Sequence, residues 1–214
     1  MMNSIQAEKL QWLALTVLGL VAGLALALPL GVPIFAVVGA MAGTPVVLGV
    51  VGLSLGTAQW PIVRRHMSSS WWWVIVSALG MAVGLTAGVT LVEQVGRAFV
   101  GGQINFRMLG VAARAVSFGT IGVVGGASLG LAQWLVLRRH AQSCRRWIRV
   151  NAWSLGLGLV CGSLLADALM MKAGSLASTS ILLVIGSGVA GACTARALSQ
   201  IFPGGREQTS TTSR

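Results

Sequence analysis

The chain has 214 residues, 55% of them hydrophobic and only 9% charged, with a mean hydropathy of +0.83. Soluble domains carry roughly 25% charged residues, so this composition excludes an ordinary soluble globular protein and points to an integral membrane one. The formal charge is +11, but the basic residues cluster at the ends of apolar segments and build no separate basic domain, which argues against nucleic acid as a partner.

A bilayer core of about 30 Å needs roughly 20 apolar residues in a helix, and six stretches qualify. The first runs from about Trp12 to Leu30. Lys9 precedes it and no small-residue cleavage site leads into a polar mature segment, so it reads as a retained helix rather than a signal peptide. "PLGVP", Pro29 to Pro33, predicts a tight turn that folds the first stretch back on the second, which lies within Val32–Val63. Pro45 and Pro61 interrupt the second and predict a tilt or bend, because proline removes a backbone donor. The third stretch is about Trp72–Val92, the fourth lies within Met108–Leu137, the fifth is about Ile148–Met171 and the sixth about Ser178–Leu198. The expected fold is an all-α polytopic membrane protein of about six transmembrane helices. It forms one domain over residues 1–202, with hairpins at about 10–66, 71–140 and 147–200, and a disordered polar tail over 203–214.

With six spans, eleven of the fifteen basic residues fall on one side, and only Arg97, Arg107, Arg114 and Lys172 fall on or near the other. The positive-inside rule then puts both termini in the cytoplasm of a plasma-type, bacterial inner membrane. Cys144, Cys161 and Cys193 are far apart and show no metal-ligand spacing. Cys161 and Cys193 lie in apolar segments, where a thiol behaves as a small hydrophobe.

The most specific signal is a repeat. Gly52–His66 matches Gly126–His140 at ten of fifteen positions without gaps, and each copy ends in A-Q-W-x-x-x-R-R-H. At the same offset Trp73 aligns with Trp147, Gly84 with Gly158, and Glu93 with Asp167. A weaker third copy is suggested by Trp12, Gly19 and Gly23, spaced like Trp73, Gly80 and Gly84, and by Gly191 and Thr194, spaced like Gly130 and Gln133. A two-helix unit keeps its orientation across a membrane, so the copies are expected as parallel hairpin repeats about an axis along the membrane normal.

On a helix, Gly52, Gly56 and Gln59 share one face, as do Gly126, Gly130 and Gln133. Glycines four apart let helices approach closely, in the GxxxG manner, and a glutamine on that face can hydrogen-bond across the contact. The sharper alternative is that Gln59 and Gln133, with Trp60 and Trp134 stacking on a planar group, bind a pigment, quinone or lipid. Otherwise Trp60 and Trp134, together with Trp71, Trp72, Trp73 and Trp147, are expected in the interfacial aromatic belt. Arg64, Arg65, Arg138 and Arg139 fix topology and meet anionic lipid or an acidic partner. His66 and His140 follow each arginine pair, at the membrane surface, where solvation competes with axial ligation of haem or chlorophyll. Glu93 and Asp167 lie near the opposite ends of their helices and are candidates for a proton- or cation-related site. Arg97 stands four residues after Glu93, at ion-pair spacing.

The segments around Gln59 and Gln133 and the helices after them resemble bacterial multipass membrane proteins that carry repeated Q-W-x-x-L-R-R helix ends. The resemblance implies a multispan membrane protein and supplies no activity; Pro61 departs from the aliphatic residue usual after Q-W. Three two-helix repeats also describe mitochondrial-type carriers, but their P-x-[DE]-x-x-[KR] signature is missing. No nucleophile with a base, no H-E-x-x-H and no phosphate loop is present, so no catalytic residue, metal site or required cofactor is expected. The expected function is a non-enzymatic accessory or scaffold subunit of a membrane complex that holds lipid or pigment, in contact with membrane lipids, other subunits or further copies of itself. The alternative is a small-solute or ion transporter or channel built from the tandem hairpins.

Overall fold

The computed structural model describes residues 4–67, 71–100, 109–138, 145–170, 186 and 188–197. These residues are all-α. The helices are α1 (Ser4–Val63), α2 (Trp71–Val100), α3 (Val111–Leu137), α4 (Arg145–Met170) and a shorter α5 (188–197). The first four are long and apolar enough to cross a membrane. Helix is the form that satisfies every backbone donor and acceptor within one segment where no water can, and this outweighs the poor helix propensity of the many glycines and valines. Hydroxyls in these apolar surroundings bond back to their own helix: Thr57 donates to the Leu53 carbonyl at 2.8 Å and Thr120 to the Val116 carbonyl at 2.9 Å.

At 60 residues, α1 would be about 90 Å long if straight, three times the bilayer core. It is broken at Gly39, which has φ 76° and ψ 165°. Side chains rarely adopt that backbone conformation. The break turns α1 back on itself. A Cβ on Gly23 would lie 2.9 Å from the Val51 Cα, and one on Gly19 3.0 Å from the Leu55 Cα, so the two arms run antiparallel in close contact. The turn expected at Pro29–Pro33 is therefore placed about two helical turns too early. Both prolines lie inside the first arm, and Pro45 and Pro61 inside the second, with Gly39 the non-helical point of the element. Neighbouring helices re-satisfy the carbonyls that proline frees in such an environment.

The helices then neighbour one another in a closed circuit. Gly56 faces the Val74 Cα of α2, Gly80 the Leu129 Cα of α3, and Gly130 the Ile148 Cα of α4, each with space for nothing larger than hydrogen. Gly158 of α4 meets Gly186, and Gly191 of α5 meets Leu13 and Thr16 in the first arm, which closes the circuit.

The interior mixes polar and apolar side chains, while the outer surface is strongly apolar. The interior holds Thr16, Gln59, Ser77, Gln133, Asn151, Ser154 and Thr194, all buried. The outer surface carries Val37 at 84% exposure, Met41 at 94% and many other large apolar side chains. Two apolar clusters fill the axis. One is built on Trp12, Ile62, Trp73, Leu137 and Trp147, the other on Leu20, Val51, Leu55, Met81 and Leu129.

Candidate functional site

The polar interior is organised by three tryptophans. Trp12, Trp73 and Trp147 stand near the starts of the first arm, α2 and α4, and each is at most 1% exposed. Their rings form a triangle, with centroids 6.3, 6.2 and 5.9 Å apart and mutual tilts of 70°, 75° and 59°. The two pairs made by Trp12 are edge-to-face, the geometry that brings positive ring edges to negative faces, and the Trp73–Trp147 pair is tilted.

A buried indole N–H needs an acceptor, and each finds one on the preceding neighbour in the circuit. Trp73 Nε1 donates to Gln59 Oε1 at 3.2 Å, and Trp147 Nε1 to Gln133 Oε1 at 3.0 Å. Trp12 Nε1 donates to Thr194 Oγ1 at 3.0 Å. The glutamines use their other end as well. Gln59 Nε2 donates to Thr16 Oγ1 at 3.0 Å, and Gln133 Nε2 to Ser77 Oγ at 2.9 Å. Each acceptor hydroxyl lies four residues after a tryptophan, hence on the same helix face. One glutamine thus ties two helices to its own.

The third seam uses the same groups differently. Asn151 stands four residues after Trp147, where the other seams have Thr16 and Ser77, and Thr194 stands where they have glutamine. The short Thr194 hydroxyl accepts from Trp12 and donates to the Ala190 carbonyl at 2.7 Å, while Asn151 Nδ2 donates to the Trp147 carbonyl at 3.0 Å. The amide has changed sides of the seam.

Beside the tryptophan centre lies a small cavity of about 30 Å³, lined by Trp147, by the polar groups of Thr16, Gln59, Gln133, Asn151, Ser154 and Thr194, and by Leu20, Leu55, Met81 and Leu129. A buried water needs about 10–15 Å³ and two to four polar partners, so this space suits one or two waters.

The other residues singled out from the sequence sit apart from this centre. Trp60 and Trp134 are partly buried, and their outer faces are covered by Arg64 and Arg138, at 5.1 and 5.4 Å from the ring centroids. Arg65 donates to Gln11 Oε1 at 3.3 Å, and His66 Nε2 lies 2.8 Å from Glu8 Oε1, so the end of the second arm is fastened to the start of the first. Arg139 and His140 lie outside the described residues. Glu93 pairs with Arg97 at 3.5 Å, both about half exposed. It stands 20 residues beyond Trp73, about 30 Å along α2, so it shares no site with the glutamines. Asp167 belongs to α4, but its side chain lies outside the described residues.

The aromatic belt expected from the sequence divides. Trp71 and Trp72 are exposed and stacked on each other with centroids 4.4 Å apart, as interfacial residues would be. Trp73 and Trp147 are interior. The helix turns about 100° per residue, so three consecutive tryptophans cannot share one face. Thr194 stands at the glutamine position that the weak third copy assigned it, whereas Thr16, Ser77 and Asn151 escaped the sequence reading; the signal available was a tryptophan followed four residues later by a small hydroxyl or amide, three times over.

Comparison with protein-family models, curated proteins and solved structures finds no match to this chain.

Proposed function

We propose that the chain is a non-enzymatic integral membrane protein of six spans, an accessory or scaffold subunit of a membrane complex in a bacterial inner membrane, with both termini cytoplasmic. Its spans are three parallel hairpins about an axis along the membrane normal: the two arms of α1, then α2 with α3, then α4 with α5. The observation that carries this reading is how the polar interior is used. Both ends of Gln59 and of Gln133, and the N–H of each central tryptophan, are engaged in holding helix to helix. The glycine faces are closed against neighbouring backbones. The three central rings are buried against one another, which leaves the apolar outer surface as the part offered to partners.

The test is purification from native membranes in mild detergent, followed by mass spectrometry and an absorption spectrum. A stoichiometric membrane subunit or pigment in the purified material is the expected result. A protein that emerges alone, colourless and free of lipid overturns the reading. The small cavity between the glutamines favours one other reading, a small-solute or ion transporter whose site is that space. Solute flux into liposomes that Gln133→Leu abolishes would decide for it.

A further inference from the structure

Outside the tryptophan centre, the outward face of α4 carries a second organised feature. A groove of about 560 Å³ runs between α4 and α5. Arg146 and Arg149 line it on one wall and Arg196 on the other, with Val150, Trp153 and Leu157 along its length. A second groove of about 370 Å³ lies on the other side of α4, against α3, lined by Val116, Val123, Gly156 and Val160 among others. Trp153 and Leu157 line both grooves.

Arg146, Val150, Trp153, Leu157 and Val160 follow each other at spacings of four and three, so they form one stripe down the helix. Trp153 is 65% exposed and Leu157 50%. They make a ridge with a groove on either side and arginines at its head. No carboxylate is among the described residues lining either groove, and a guanidinium keeps its charge at any relevant pH. The head of the stripe therefore selects an anion, reinforced by the positive end of α4. The rest of the stripe is apolar and faces outward. From Arg146 to Val160 the helix rises about 21 Å, close to the depth of one leaflet including its headgroups.

We propose that this face binds an anionic diacyl glycerophospholipid. Its phosphate rests on Arg146 and Arg149, and its two acyl chains straddle the Trp153–Leu157 ridge, one in each groove. The proposal does not depend on the scaffold reading: a transporter would carry the same lipid.

The full chain in non-ionic detergent is titrated with phosphatidylglycerol and with phosphatidylcholine of identical acyl chains, and the bound species are counted by native mass spectrometry. Phosphatidylglycerol is expected to bind roughly thirtyfold more tightly, the order that two basic contacts supply at a lipid surface. Excess inorganic phosphate should leave it bound, since the acyl chains hold it too. R146Q/R149Q should lower phosphatidylglycerol to the phosphatidylcholine level, whereas K9Q/R97Q, which removes equal charge at residues that line neither groove, should not. Equal binding of the two lipids by the unaltered protein overturns the proposal without any variant. So does displacement by inorganic phosphate, which means an anion site without a lipid. Equal loss in both double variants overturns it as well, because net charge alone then explains the binding.

Discussion

Replacing Gln133 with leucine tests whether the amide holds the bundle. Gln133 is 1% exposed and makes two interhelical hydrogen bonds, accepting from Trp147 and donating to Ser77. In Gln133→Leu the Ser77 hydroxyl can turn to a carbonyl of its own helix, so its loss is small. The Trp147 N–H has no such escape, and an unpaired buried donor costs about 1–3 kcal/mol. Leucine's added apolar contact offsets part of this, which leaves a net loss of about 1–2 kcal/mol. A double-mutant cycle with Trp147→Phe isolates the bond, since ring size cancels between its arms. Interhelical hydrogen bonds in membranes average about 0.6 kcal/mol and reach about 1.7, so the coupling energy should lie in that range. It is read from reversible unfolding of the full chain in mixed micelles titrated with a denaturing detergent. A coupling below about 0.3 kcal/mol, the scatter of independent sites, refutes the claim that the amide and the indole act as a pair.

The break in α1 makes a sharper demand. Gly39→Ala should cost about 1–3 kcal/mol in the same unfolding assay because of its backbone conformation. Gly110→Ala, at φ −59° with open space around it, should stay within about 0.5 kcal/mol. The exchanged seam predicts a compensation. Thr194→Gln alone puts a second amide into the small cavity that Asn151 also lines and should cost about 1–3 kcal/mol, whereas Thr194→Gln with Asn151→Ser should recover at least about 1 kcal/mol of that loss. Glu93→Gln should change stability by less than about 0.5 kcal/mol, because its pair with Arg97 is half exposed.

The helical class and the ends of α3 and α4 were legible because apolar runs of spanning length, bounded by arginines, have few alternatives. The Q-W segments were legible as a pair because ten identities in fifteen stand out even in a biased composition. The reversal of the first hairpin was not. Pro29 and Pro33 carry the turn signal of a soluble protein, but in an apolar bundle proline is tolerated inside a helix, and Gly39 is one of 29 glycines, told from the rest by its φ. Trp73 and Trp147 were misplaced at the interface because tryptophan suits both a headgroup belt and a buried bonded position. The spacing to Ser77 and Asn151 separates the two, but it gains meaning only once the acceptors on the preceding helices are known. Asn151 was hidden for a similar reason. Thr194 was legible as the counterpart of Gln133, but the amide that Asn151 carries beside it was not.

A circuit of helices is complete only when its last seam is made. That seam joins Trp12 to Thr194, 182 positions apart, so during synthesis it closes after the others. Until then the bundle is an open arc. One edge shows an indole seeking an acceptor, and the other awaits an incoming helix. The swap of amide and hydroxyl at the closing seam gives that edge a partner unlike those of the other two.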